Sequence, residues 1–220
     1  AVASGSVQIN NGTFDNNTAQ TRGGGMSVLI SKNGNASSMH SVFIINSDFT
    51  NNKAEQDGGA IHVNILPDAP GLNMFRITSN DGTTHKFSGN RHRTNTFGAK
   101  EEANAIFIEN GNVTLSTSGE GSQLLFNDGI AGSSIDKAAV SVNGNVTFND
   151  KVQNVNLTLN DGELKLNDAE TRLTSTDNIL DNVKLSLNNG MLNMQNGELD
   201  TLNITDFSAN EDVSIAFDAD

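Results

Sequence analysis

Four histidines and a large excess of carboxylates are the residues of this chain that could do chemistry. His40, His62, His85 and His92 fall in no metal-ligand spacing, since a zinc-binding helix would need His-x-x-x-His with a partnering Glu. His62 lies between Ile61 and Val63, so alternation along a strand points it outward. All four histidines read as surface or loop residues. A hydrolase or lyase built from stacked repeats would assemble Asp clusters from neighbouring repeats, converging in a cleft. Asp15 and Thr50 share one position of a repeat set out below, and Asp48 precedes Phe49 where Thr13 precedes Phe14. The pattern makes no Asp ladder, and no catalytic residue is assigned.

Other chemistries lack their residues. No Cys means no disulfide framework, no thiolate zinc site and no Cys nucleophile. Neither the glycine-rich calcium nonapeptide nor an EF-hand loop occurs. Glu211, Asp212, Asp218 and Asp220 read as a solvated face, so no metal and no cofactor is expected. Gly23-Gly24-Gly25 lacks the Lys-Ser/Thr of a phosphate loop and reads as a structural corner. Trp and Tyr are absent, which counts against a long sugar-stacking groove. A net charge of -13 disfavours nucleic acid and anionic lipid, both of which need clustered Lys and Arg. No apolar run approaches the ~18 residues of a membrane span, so this stretch is not expected to insert in a membrane.

What would position side chains here is a repeat. Phe14-Asp15-Asn16-Asn17-Thr18-Ala19 aligns with Phe49-Thr50-Asn51-Asn52-Lys53-Ala54. Without a gap, Gly23-Gly24-Gly25-Met26-Ser27-Val28 then falls opposite Gly58-Gly59-Ala60-Ile61-His62-Val63. A third copy opens at Phe87-Ser88-Gly89-Asn90 and closes at Ala103-Asn104-Ala105-Ile106-Phe107-Ile108 after a longer insertion. A fourth remnant reads Phe126-Asn127-Asp128-Gly129, then Ala138-Ala139-Val140-Ser141-Val142. The phenylalanines are 35, 38 and 39 residues apart, spacing that suits a solenoid with loops of variable length. From about Asn110 the texture becomes short alternating strands between Asn-Gly or Asp-Gly turns, at Asn110, Asn143, Asp161, Asn189 and Asn196.

These features predict an all-β right-handed parallel β-helix with loop insertions, a single unit over 1–220 that divides into repeats at 1–109 and plainer Asn-Gly rungs at 110–220. A hydrophobic fraction of 35% is low for a compact globule, where ~45–50% is usual, and suits a narrow stacked core. Asn and Gly tolerate the positive φ of sharp corners, and stacked Asn amides can bond from rung to rung. More than thirty asparagines are present for such ladders. Phe14, Phe49 and Phe87 would point inward and stack. The glycines would turn the chain tightly, and Ile61 and Val63 would share the core face. At ~20–25 residues per rung and ~4.8 Å between strands, the chain would make roughly nine or ten rungs over ~45 Å. The rival is an antiparallel sandwich or meander, since Asn-Gly between alternating strands is also the strongest hairpin signal.

The paired motifs resemble those of the chlamydial polymorphic membrane proteins, autotransporters defined by copies of Phe-x-x-Asn and Gly-Gly-Ala-[Ile/Leu/Val]. Phe14 to Asn17, Phe49 to Asn52 and Phe87 to Asn90 match the first motif, and Gly58-Gly59-Ala60-Ile61 the second. Gly23-Gly24-Gly25-Met26 departs at two positions, and Ala103 to Ile106 lacks both glycines. The resemblance covers roughly residues 7–108. The second half, with Leu185 to Gly190 and Leu199 to Ile204, is similar to late passenger segments of bacterial autotransporters. The resemblance implies secretion to a bacterial cell surface, anchored through a barrel absent from this chain, and a role in adhesion.

The expected function is therefore non-catalytic: a stalk presenting loops to a protein or glycan receptor on a host or neighbouring cell. Loops on a rigid scaffold are where binding usually lives. Three insertions vary where the repeat does not: Ser31 to Ser41, Leu66 to Asn80 and His92 to Glu102. The second carries Leu66, Pro67, Pro70, Leu72 and Met74; the third carries the basic residues His92, Arg93 and Lys100. Self-association is a further partner mode, because exposed end rungs need a cap. A polysaccharide-processing enzyme and a purely structural spacer are the alternatives.

Overall fold

A computed structural model describes residues 5–31, 40–66, 74–93, 100–167, 178–196 and 202–218. Every regular element among them is a strand. Pro67, Pro70 and Leu72 lie outside the described residues.

One run of neighbours comprises β1 (Gly5–Asn10), β5 (His40–Ile45), β9 (Met74–Ser79), the second half of β13 (Ile106–Thr117), β16 (Ala138–Asn143), β19 (Asn156–Asp161), β21 (Leu180–Leu187) and β23 (Leu202–Ala209). A second comprises β2 (Thr13–Asp15), β6 (Asp48–Thr50), β10 (Thr84–Ser88), β14 (Gln123–Phe126), β17 (Val146–Phe148), β20 (Glu163–Leu166), β22 (Gly190–Met194) and β24 (Val213–Phe217). A third comprises β4 (Met26–Ile30), β8 (Ile61–Ile65), the first half of β13, β15 (Ile130–Gly132), β18 (Val152–Gln153) and the start of β21 and β23. The short strands β3 (Thr18–Ala19), β7 (Lys53–Ala54), β11 (Arg91–Arg93) and β12 (Glu101–Ala103) make a fourth.

Among the described residues every strand pairing is parallel except β11 with β12. The hairpin reading is thereby corrected. Asn143-Gly144, Asp161-Gly162 and Asn189-Gly190 connect strands of different sheets instead of folding a strand back on its neighbour. Their glycines stack at one corner: a Cβ on Gly162 would lie 2.4 Å from the Gly144 Cα, and one on Gly190 2.3 Å from the Gly162 carbonyl oxygen. No side chain fits that column. Because β13 and β21 each run through a corner and pair twice on either side, the pairing closes into a ring, β13–β15–β18–β21–β19–β16.

In-register parallel pairing turns sequence repeats into columns. Phe14, Phe49, Phe87, Phe126 and Phe148 share one register position. Their rings stack inward as expected, at centroid distances of 4.4, 5.1, 4.5 and 5.4 Å, with the last pair tilted by 47°. Beside them runs an amide ladder, buried from Asn52 onward. The Asn17 Nδ2 donates to the Asn52 Oδ1 (2.9 Å), the Asn52 Nδ2 to the Asn90 Oδ1 (3.0 Å), and the Asn90 Nδ2 to the Asp128 Oδ2 (2.9 Å). Asn52 and Asn90 also donate to the carbonyls of Phe14 and Phe49, capping backbone groups that the corner leaves unpaired.

The Gly-Gly-Ala-Ile half is a crossing point. Gly23 and Gly58 take φ of 66° and 68°, where a Cβ would meet the carbonyl three residues on. A Cβ on Gly24 would lie 2.3 Å from the Gly59 carbonyl oxygen, and one on Gly59 2.4 Å from the Arg91 nitrogen. Ala60 fills the next position, and Met26, Ile61 and Ile106 form a column continued by Ile130. The counterpart of Gly-Gly-Ala-Ile in the fourth level is thus Gly129-Ile130, not Ala138 to Val142. The latter strand, β16, belongs to the column of β1 and β5.

Levels differ in circumference. The first three detour through β3, β7 and β11; later ones pass from Phe126 to Ile130, and from Phe148 to Val152, within four residues. Partners in the ladder from Asn17 to Asn90 are 35 and 38 residues apart, whereas in a second amide column, Asn127–Asn149–Asn167, they are 22 and 18 apart. Among the described residues the second run has eight strands against the nine or ten rungs that the sequence predicts, because the early levels are long. β12 folds back antiparallel on β11 and ends the fourth sheet where the detour stops.

Candidate functional site

Two insertions leave the scaffold at one corner. Ile30 pairs with Ile65, the Leu66 nitrogen donates to the Ile30 carbonyl (2.9 Å), and on the return Ser41 pairs with Met74. The segments 32–39 and 67–73 therefore depart from adjacent strands and rejoin adjacent strands. In the third level the chain crosses this corner inside β13 with no insertion, through a register shift between Ile108 and Asn110 and a φ of 107° at Gly111. A side chain at Gly111 would run into Ile65.

Beside this corner, on the outer face of β4, β8 and β13, lies a polar cluster that joins three levels. The Arg22 Nη1 donates to the Glu109 Oε2 (2.9 Å), and its Nε lies 3.4 Å from the Asp57 Oδ2. The Asn64 Nδ2 donates to the same Glu109 oxygen (2.9 Å), and the His62 Nε2 lies 3.2 Å from it without hydrogen-bond alignment. The His62 ring is stacked 6.1 Å over Phe107, its register neighbour. His62 lies on the outer face of β8, as alternation predicts, yet the residue is only 5% exposed, which corrects its reading as a surface residue. Burial, and next the Arg22 guanidinium, lower its pKa from the ordinary histidine value, against the opposing pull of Glu109 and Asp57. The guanidinium sits between the two carboxylates, so they clamp the corner and do not face a shared cleft. Leu29, paired with Asn64 on this face, is 66% exposed.

The other histidines also depart from the surface reading. His40 opens β5 and is buried. His85 occupies a core position of β10, in register with Leu124. Its Nε2 lies 3.0 Å from the Asp81 Oδ2 and its Nδ1 3.6 Å from the Asp48 Oδ1, and the Thr83 hydroxyl holds the Asp81 carboxyl below its ordinary pKa. The surface reading of His85 is corrected: alternation with Phe87 puts it on the inner face of β10, and the two carboxylates beside its ring come from elsewhere, Asp48 from β6 and Asp81 from the turn before β10. Among the described residues no three His, Cys, Asp or Glu are grouped to hold a metal ion.

His92 and Arg93 were expected in a loop but lie in β11, paired with Glu102 and Glu101 across the β11–β12 hairpin. The Arg93 Nη1 is 3.2 Å from the Glu55 Oε2, the His92 Nδ1 is 2.8 Å from the Gln56 carbonyl, and Lys53 pairs with Glu101. Lys100 is exposed just before β12. Met74 likewise is not in a loop; it begins β9, partly buried. Leu66 and Met74 thus flank one corner, while His92 and Arg93 belong to the fourth sheet and Lys100 immediately precedes its strand β12. No protein-family model matches the chain, and neither does a curated protein or a solved structure.

Proposed function

We propose that the chain is a β-helical passenger segment of a bacterial surface protein, which attaches to a host or neighbouring cell through insertions on a right-handed parallel stalk. Parallel in-register columns, the motif positions at core and corner, and the resemblance to chlamydial polymorphic membrane proteins support the winding and the setting. One observation carries the binding role. The strands that flank segments 32–39 and 67–73 are adjacent at one corner, and the cluster of Arg22, His62 and Glu109 lies on the outer face of that strand layer. Two insertions anchored side by side on a rigid base offer more for recognition than either alone. The receptor is a protein or a glycan of the opposing cell.

The test replaces 32–39 and 67–73 by short Asn-Gly links, separately and together, with the fold checked by circular dichroism and thermal unfolding. Binding of the purified chain to host cells and to a bacterial cell panel is then compared. The reading expects loss of binding in the double variant with the fold intact. Undiminished binding would remove it and leave the stalk as a spacer.

A further inference from the structure

Arg76 carries a guanidinium that the chain leaves without a counter-charge. It stands on the outer face of β9, in register between Phe43 of β5 and Thr114 of β13. Arg22 and Arg93 each meet a carboxylate, but among the described residues Arg76 meets none. Its Nε is buried with no hydrogen-bond partner, although the residue as a whole is partly exposed. A buried donor on a charged group is costly to leave unpaired. The surroundings are equally unusual for a chain with 26 acidic residues. The outward positions of β1, β5, β9, β16 and the second half of β13 hold no Asp and no Glu, and Arg76 is the one charged residue among them. Met74, Phe43 and Ile45, all partly exposed, lie around it. Gln8 beyond Phe43, and Thr114 and Ser141 on the other side, complete its row with an amide and two hydroxyls.

We infer that this face holds a sugar that carries a carboxylate, with the acid on Arg76 and the ring against Phe43. A carboxylate supplies the acceptors that the planar guanidinium fork lacks, and no acidic side chain on this face competes for it. Neighbouring strands lie ~4.8 Å apart, about the breadth of one pyranose ring. A ring resting on Phe43 therefore brings a carboxylate on its rim to Arg76. Gln8, Thr114 and Ser141 extend the same row as hydrogen-bond partners for ring hydroxyls. One Phe serves one ring, so the lack of Trp and Tyr, which tells against a long groove, does not tell against this contact. An acidic peptide is the weaker match. β5, β9 and the second half of β13 are paired on both sides, so an extended segment finds no free backbone to add to. The inference rests on the attachment reading for its setting and gives the receptor a ligand class. Its residues lie on strands and not in the insertions.

The purified chain is titrated, with ligand-observed NMR, against sialyllactose, an unsulfated hyaluronan tetrasaccharide, lactose and a hexaglutamate peptide. At least one of the two carboxylated sugars is expected to bind with a Kd of ~1 mM or tighter, and which one does so separates a sialic from a uronic acid. Lactose should bind about tenfold more weakly or not at all, and Arg76→Gln should weaken the carboxylated sugar by about tenfold or more. Should circular dichroism show Arg76→Gln unfolded, Arg76→Lys keeps the charge without the fork and should also weaken binding. Arg76→Met keeps the apolar stem and removes an unpaired cation, so its thermal midpoint is expected at or above that of the unmodified chain. Binding of neither sugar, equal binding of lactose, undiminished binding in the Arg76 variants, preference for hexaglutamate, or a lowered midpoint in Arg76→Met would overturn the inference. Cell attachment is read in its own assay. Sugar binding by a chain that attaches to no cell would remove the attachment reading alone, and attachment without sugar binding would remove this inference alone.

Discussion

The ring of Phe14 lies flat on that of Phe49, with centroids 4.4 Å apart and planes 3° from parallel. Phe49 is then covered on its other face by Phe87 and is wholly buried, whereas Phe14 is covered on one side only. Phe49→Ala removes two stacked contacts and leaves a cavity, with an expected loss of about 3–5 kcal/mol. Phe14→Ala should cost less than half of that. Urea denaturation of both variants checks the ranking; equal losses would show that the column does not act as a stack.

The amide ladder makes a sharper demand. Asn90 accepts from Asn52 through Oδ1 while its Nδ2 donates to Asp128 and to the Phe49 carbonyl. In Asn90→Asp both donations vanish and a second carboxylate lies against Asp128. A loss of roughly 3 kcal/mol or more is expected at neutral pH. The two carboxylates cannot both ionise freely there, so one folded-state pKa rises above its unfolded value. Stability should therefore recover as pH falls through that raised pKa. Asn90→Ala loses the same donations without the charge and should show no such recovery, which denaturation across pH would reveal.

Both columns were legible where the sequence repeats its own spacing. Phe14 to Asn17 and Phe49 to Asn52 keep one register because both levels contain the β3 or β7 detour. The signal failed where the detour ends. In Phe126-Asn127-Asp128-Gly129-Ile130 the ladder residue moves one place nearer the phenylalanine, and Asp replaces Asn. A Phe-Asn-Asp-x-[Ile/Val] pattern recurs at Phe148 to Val152, and this 22-residue repeat was available to find the shorter levels. The histidines were misread for another reason. Alternation gives the face of His62 but not its cover, and that cover comes from Arg22 and Glu109, 40 and 47 residues away. The β11–β12 pairing was hidden because its charges read as a basic insertion instead of as a hairpin with its own acidic partners.

Within the glycine motif two adjacent positions should respond differently. A Cβ on Gly24 would sit 2.3 Å from the Gly59 carbonyl oxygen and 2.6 Å from the Lys53 backbone, which belongs to the next level and cannot retreat. Gly24→Ala is expected to cost upward of about 2 kcal/mol. At Gly25 the nearest atoms would be 3.1 Å away, and the equivalent position already holds a buried Ala60. Gly25→Ala should stay within about 1 kcal/mol of the unmodified chain, since lost unfolded-state freedom offsets the tight fit. Thermal unfolding of the two variants decides; a harmless Gly24→Ala would mean that the crossing is not close.

The last expectation concerns His62. Its pKa in the folded chain lies below the ordinary histidine value, first because it is buried and next because Arg22 is near, and Glu109 and Asp57 only partly oppose this. The unfolded chain then binds the proton more readily than the folded one. The resulting stability is fully present above the unfolded pKa of about 6.5, and it declines as pH falls below that value toward the lowered folded pKa. Asp15, Asp81 and Glu101 are also held below their ordinary values, chiefly by hydrogen bonds from Thr50, Thr83 and Lys53. Their contributions fade only as pH falls through the carboxylate range, near 4 and below, so the two windows separate. His62→Gln removes the titration and keeps a neutral polar side chain. Urea midpoints measured from pH 8 to pH 5 should fall less steeply below about pH 6.5 in His62→Gln than in the unmodified chain. Parallel curves for the two proteins would show that the cluster of Arg22, Asp57 and Glu109 accepts a protonated imidazole at no cost.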